Sequence, residues 1–202
     1  MRAIEMICDR DRELLLRGWV GIPADRLEAT IESFGLQIAM EDLGFREGAL
    51  DLTRGLVLVN SRLPELCDPR TDLNGVRNSI LAHELGHWRL HRCLLESGQK
   101  LDQEHENQAY VYAEEWLLPR CQLRERPQVW EMARARKGMK SLTSSRLWRL
   151  CSELAQQFAV TTSAVAYRLS GLRLIHRRGS RLSLTPSGEQ TSSGQPNLEA
   201  AK

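Results

Sequence analysis

The stretch Ile80–Trp88, ILAHELGHW, constrains this chain more than any other. Val76, Ile80, Leu81, Leu85 and Trp88 recur at helical spacing, so the segment predicts a helix with one face in a core. Ser97-Gly98 stops it. On such a helix His83 and His87, four residues apart, lie one above the other and can direct both imidazoles to one point. Glu84 sits one residue off that face. It is poorly placed to ligate a metal and well placed to reach a water beside one. This is the physical content of HExxH: two nitrogen ligands for zinc and a glutamate base. Gly86 lies inside the same helix, where it costs up to about 1 kcal/mol relative to alanine. A close approach by a neighbouring element would account for it. A helix with incidental histidines meets this pattern in on the order of one per cent of such chains, the false-positive risk of any short motif.

A catalytic zinc takes three protein ligands and leaves one position open. A glycine at 90 and a histidine at 93 would extend the motif to the three-histidine form, but the chain has Leu90 and Cys93 there. His91 is one helical turn beyond His87 and rotated away from the pair. It is expected to be solvated or to support a ligand from behind. The other source is the next helix, expected from about Gln103 to Leu118 and ended by Pro119. It offers Glu104, Glu106, Glu114 and Glu115, of which only Glu104 and Glu106 fall early enough to face the middle of the first helix.

Around this core, PADRLEATIESFG predicts a helix, with Leu27, Ile31 and Phe34 at helical spacing. LQIAMED, GALDL and GLVLVN predict three short strands in a small antiparallel or mixed sheet. Residues 120–140 are basic and less regular, with one short helix expected in RPQVWEMARARKGM. Two amphipathic segments follow, LCSELAQQFAV and TTSAVAYRLSGL, the second capped by Thr161 or Thr162. Their short connection has helix-turn-helix spacing. LRLIHRRGSRLSLT predicts a hairpin around Gly179-Ser180. From Pro186 the chain is polar and too poor in apolar residues to order itself.

The 202 residues, 42% hydrophobic and 27% charged, are those of an ordinary globular chain. A net charge of +2 argues for no nucleic-acid partner unless the cations cluster locally. No run of eighteen apolar residues offers a membrane span, and a start broken by acids and arginines is not expected to act as a signal peptide. The odd number of scattered cysteines, Cys8, Cys67, Cys93, Cys121 and Cys151, points to reduced thiols and a cytoplasmic location.

SILAHELGHWRLH followed by ENQAYVYAEEWLLP resembles the ImmA/IrrE family of metallopeptidases. Its members read like AHELGHxxLH and then E-x-x-A-N-x-F-A-x-x-LL-x-P. The likeness covers roughly residues 20–175. It includes the preceding helix and strands and the trailing LAQQFAVTTSAVAYRLSGL. The resemblance implies that His83, His87 and Glu106 are zinc ligands and Glu84 the general base, with Glu104 the reserve ligand. The family's asparagine and phenylalanine are Tyr110 and Tyr112 in this chain. The resemblance also implies a regulatory protein as substrate, a helix-turn-helix repressor or antitoxin cleaved under stress. It implies zinc as cofactor, or another divalent metal such as Mn2+ in the cell.

The hairpin cations Arg173, His176, Arg177, Arg178 and Arg181 keep a DNA-binding regulator with a structural or vestigial metal site as an alternative. TTSAVAYRLSGL carries one arginine, Arg168, which is thin equipment for reading bases. A third reading is an antitoxin-like partner that binds protein without cutting it. The fold class expected is α+β, a small sheet on the HExxH helix and the second ligand helix, followed by the helix-turn-helix-like segment and its wing. The expected boundaries are 1–120 for the catalytic part, 121–185 for the helix-turn-helix part and 186–202 for the tail. The strand GLVLVN is expected at a sheet edge, where an extended substrate can pair with it. Tyr110, Tyr112 and His105 are candidates for steadying the oxyanion.

Overall fold

The computed structural model describes residues 2–15, 23–138 and 141–185. The expected tail from 186 lies outside the described residues. The chain is α+β. Helix α1 (Arg2–Leu15) precedes a 3-10 turn (Pro23–Arg26) and α2 (Leu27–Ser33). Strands β1 (Gln37–Glu41), β2 (Gly48–Asp51) and β3 (Leu56–Asn60) follow, then the single-turn α3 (Leu63–Leu66), α4 (Leu73–Glu96) and α5 (Gln103–Leu117). The remainder is α6 (Arg120–Arg124), α7 (Pro127–Arg136), α8 (Ser144–Phe158), α9 (Thr162–Gly171) and the hairpin β4 (Ile175–Arg178) and β5 (Arg181–Leu184).

The first sheet is mixed, in the order β1-β3-β2, with β1 parallel and β2 antiparallel to β3. This corrects the expectation for GLVLVN. That segment is the central strand, buried at all five positions, because Val57 and Val59 belong to the core while both of its edges are paired. The edge strand packed against α4 is β2. Glu47 accepts a bond from the backbone of Asn60, so by antiparallel alternation Ala49 and Asp51 also turn toward β3. Gly48 and Leu50 therefore turn their peptide groups outward.

Asp72 caps α4 by accepting from the backbone N–H of Asn74 at 3.1 Å. A reciprocal capping box between Asp102 and His105 starts α5 one turn from Glu106. Leu118 leads into Pro119, where α5 ends as its sequence requires. Residues 120–136 form two helices, α6 and α7, instead of the single one expected, because Pro127 can begin a new helix but cannot continue one.

Helix α1 has no counterpart in the sequence-based expectation. Its buried Asp11 accepts a bidentate pair from Arg89 of α4 at 2.6 and 2.7 Å and the hydroxyl of Tyr112 of α5 at 2.9 Å. A carboxylate this buried is tolerated because paired donors replace the lost water. The arrangement clamps α4 and α5 in one register.

The turn between α8 and α9 docks on the start of α4. A Cβ on Gly75 would lie 2.6 Å from the backbone carbon of Val160, so only glycine admits the turn. Asn78 donates to the carbonyl of Ala159 at 2.8 Å. Thr161, and not Thr162, caps α9, accepting from Ala164 at 3.1 Å. Arg168 of α9 is buried, paired with Glu115 at 2.5 Å and donating to the carbonyl of Leu118 at 3.1 Å. One hydrophobic cluster runs from Cys8 through Leu81, Trp116 and Phe158 to Leu182.

Candidate metal centre

The periodicity of α4 sends Leu81 and Leu85 into the core and leaves His83 and His87 together on the side facing α5. Gly86 lies on the same side. A Cβ there would lie 3.0 Å from the carbonyl oxygen of Ala109 and 3.1 Å from its Cα. The missing side chain thus lets α5 approach, and Glu106 stands one turn before Ala109. Across this contact the Nε2 atoms of His83 and His87 are 3.0 Å apart. Glu106 Oε2 lies 3.2 Å from the first and 3.4 Å from the second. A tetrahedral zinc with bonds of about 2.0–2.1 Å sets its ligand atoms about 3.3–3.4 Å apart. The three donor atoms match that spacing, and their chemistry, two imidazoles and a carboxylate, suits zinc. They are the one such cluster of potential metal ligands among the described residues. The histidines are mostly enclosed while Glu106 is 40% exposed, so the cluster opens toward solvent on its α5 side.

Burial holds both histidines below their ordinary pKa, His87 down to about 4, against the opposing pull of Glu106. They are therefore neutral near pH 7, the form that ligates a metal. Glu84 is buried beside them. Desolvation, reinforced by Glu106 and opposed by Arg46, raises it to about 7. Gly48 of β2 passes next to this carboxylate. A Cβ there would lie 3.2 Å from Glu84 Oε1 and would collide with Ile80 at 2.3 Å.

His91 is buried, which corrects the solvated half of its expectation. Its Nδ1 lies 3.1 Å from His87 Nδ1, and its Nε2 lies 3.0 Å from Gln108 Oε1. If His87 offers its Nε2 lone pair to a metal, its proton sits on Nδ1 and donates to His91. His91 then donates to Gln108, and Gln108 donates to Glu104 at 3.3 Å. One assignment of tautomers satisfies the whole series. Glu104 is thus exposed and outside the donor cluster, at the far end of this chain of bonds.

The other candidates fall in different places. The Tyr110 ring lies 4.3 Å from that of His83, and burial with the carboxylates of Glu106, Glu47 and Glu84 raises its hydroxyl. Tyr112 faces the other way, its hydroxyl spent on Asp11. His105 belongs to the capping box. Glu115 holds Arg168, and Glu114 is half-buried beside the same junction. Sequence reasoning missed Arg46, Glu47 and Gly48, which flank Glu84 and Tyr110. The glycine opening β2 was their only local signal.

Fold and cluster together define a mixed α+β chain carrying an HExxH helix against a glutamate-bearing partner helix. The family model Peptidase_M78, the IrrE N-terminal-like domain, matches residues 31–170, and the chain belongs to this metallopeptidase family. No curated protein matches it. A solved structure of a Mycobacterium tuberculosis transcriptional regulator is similar at 16% identity with a TM-score of 0.50, over 90% of this chain and 50% of that one. The likeness is one of fold, and the chain spans about half the length of that regulator. No helix among the described residues is long and apolar enough to cross a membrane.

Proposed function

We propose that this chain is a zinc-dependent endopeptidase acting on a regulatory protein, such as a helix-turn-helix repressor or antitoxin. The observation that carries the reading is the spacing of 3.0, 3.2 and 3.4 Å among the donor atoms of His83, His87 and Glu106, with Glu84 buried beside them. These three residues hold the metal, zinc or in the cell another divalent ion such as Mn2+. The bound ion supplies a Lewis acid and an acidified water. Glu84, poised near neutrality, takes a proton from the attacking water and delivers it to the leaving amine. His91 and Gln108 hold the ring of His87 in its ligating tautomer.

An extended substrate pairs with the outward peptide groups of Gly48 and Leu50 on β2, which brings a peptide bond past Glu84. The loop leading into β2 presents Phe45, 97% exposed, as an apolar contact for that substrate. Tyr110 flanks the same opening. Residues 1–120 form the catalytic part and 121–185 a part that braces it through Gly75, Asn78 and Arg168. The unpaired cysteines favour the cytoplasm. A sequence-reading regulator is disfavoured because the one arginine of α9, Arg168, is buried in the junction with α5.

The test compares wild type with Glu84→Gln on a proteome-derived peptide library, reading new N-termini by mass spectrometry. Both should hold about one zinc per chain. Wild type should generate termini that the variant forms about 10²–10⁴-fold more slowly, the usual worth of acid–base catalysis. Equal rates at equal zinc content would refute the mechanism.

A further inference from the structure

The small net charge of the chain hides a segregation of sign. Residues 120–185 carry 14 Lys and Arg against three Asp and Glu, a net charge of +11. Residues 1–119, which contain every residue of the candidate metal centre, carry 13 against 21, a net charge of −8. Two of the three acids in the basic part, Glu131 and Glu153, already pair with Arg146, and Glu153 pairs also with Arg149. The basic part is therefore left with a large excess of cations.

Four of these cations, Arg173, Arg177, Arg178 and Arg181, fall within nine residues at the terminal hairpin with no acid among them. In its register Arg178 stands directly opposite Arg181, and both are exposed. Like charges directly opposite one another on antiparallel strands destabilise the pairing. Among the described residues no carboxylate lies within ion-pair distance of Arg173, Arg177, Arg178 or Arg181. The strand alternation places His176 and Ser183 on the same outward face, while Ile175 and Leu182 hold the other face in the core. Arg173 is exposed at the entrance to the hairpin. Arg177 lies over the ring of exposed Tyr167 at 4.3 Å, and its Nη1 is enclosed without a partner among the described residues.

We propose that this hairpin, with the adjoining Tyr167, binds the phosphate backbone of nucleic acid without reading its sequence. Phosphate supplies the anion that facing guanidiniums lack, and arginine engages it through paired N–H donors. Backbone binding needs no base-reading side chain on α9, so the burial of Arg168 does not oppose it. An anionic membrane fits less well. The outward face offers His176, Arg178, Arg181 and Ser183, with no apolar residue to insert into lipid. The acidic first part of the chain would turn away from the same polyanion, which leaves the metal centre free for a protein substrate.

The experiment measures fluorescence anisotropy of a labelled 20-base-pair duplex of arbitrary sequence, and of one of its single strands, titrated with the full chain at several salt concentrations. If the exposed Arg173, Arg178 and Arg181 each meet a phosphate, log K against log salt for the duplex should have a slope of about −2.7. The double variant Arg178→Gln with Arg181→Gln should weaken binding by about tenfold or more in low salt and bring the slope to about −0.9. Its melting temperature should equal or exceed that of wild type, because the facing charges are gone. This separates lost contacts from lost fold. The proposal is overturned if neither nucleic acid binds in low salt, or if the folded double variant binds as wild type does. It is also overturned if phosphatidylserine vesicles or polyglutamate, matched in charge, compete better than the duplex does.

Discussion

Gly86→Ala tests whether the metal centre depends on the close contact between α4 and α5. The added Cβ would lie 3.0 and 3.1 Å from backbone atoms of Ala109 and 3.3 Å from Tyr112 Cβ. Ordinary contact begins near 3.4 Å. Backbone cannot rotate aside, so α5 must move away by about 0.3–0.6 Å, the small backbone shift that an extra methyl forces in a packed core. Two effects then compete. Alanine improves the helix by about 1 kcal/mol, and overpacking costs about 1–3 kcal/mol. The apo protein should therefore lose about 0–2 kcal/mol in denaturant unfolding, the difference of those two ranges. Zinc binding should suffer more, because the displaced helix carries Glu106 one turn from Ala109. A loss of about tenfold or more in zinc affinity, measured by chelator competition, matches the usual cost of disturbing a ligand's support. Gly171→Ala is the control. Gly171 ends α9 with nothing within 4 Å of an added Cβ, and alanine there should be neutral or gain up to about 1 kcal/mol. If Gly86→Ala proves as stable as that control and keeps wild-type zinc affinity, the contact does not position the ligand.

Zinc affinity should separate the residues around the centre. Glu106→Ala should lose most of it, His91→Ala should lose about 10–100-fold, and Glu104→Ala should change little. The reverse order for Glu104 and Glu106, measured by the same competition, would reassign the third ligand. Stability should also carry the signature of Glu114. Burial, against the opposing pull of Arg168, raises its pKa to about 7 from an ordinary 4.5. The folded state thus keeps a proton that the unfolded state has released. The resulting stability is fully present below the unfolded value and is lost as pH rises through 7. Glu84, raised likewise to about 7, contributes a similar loss. Denaturant unfolding should therefore lose stability between roughly pH 5 and pH 8, and Glu114→Gln should reduce that loss by about 2–3 kcal/mol while leaving the part due to Glu84. An unchanged pH dependence in the variant would place the titration elsewhere.

The identity and boundaries of the elements were largely legible in the sequence, because they follow from neighbours within a turn or two. The apolar stripe of α4, Pro119 at the end of α5, the three short strands and the Gly179-Ser180 hairpin all rest on such local periods and breakers. His83, Glu84 and His87 were legible for the same reason, since helical geometry alone decides which of them share a face. Helical spacing left the partner carboxylate open between Glu104 and Glu106, and family resemblance favoured Glu106. The packing of α5 on Gly86 puts Glu106 beside the histidines and leaves Glu104 in solvent. Strand order likewise escaped local pattern. The hydrophobicity of GLVLVN suits an edge strand and a central strand about equally, and only the pairing of β1 and β2 on its two sides makes it central. His91 was ambiguous until Gln108 came within 3.0 Å of it. Asp11 and Arg89 are 78 residues apart, and Glu115 and Arg168 are 53 apart, so no local period pairs them. The sequence by itself determined the motif and the faces that carry it, since those depend on backbone geometry over a few residues. The tertiary structure decided which distant charges meet, because burial makes an unpaired charge costly and only packing determines which groups are close enough to pair.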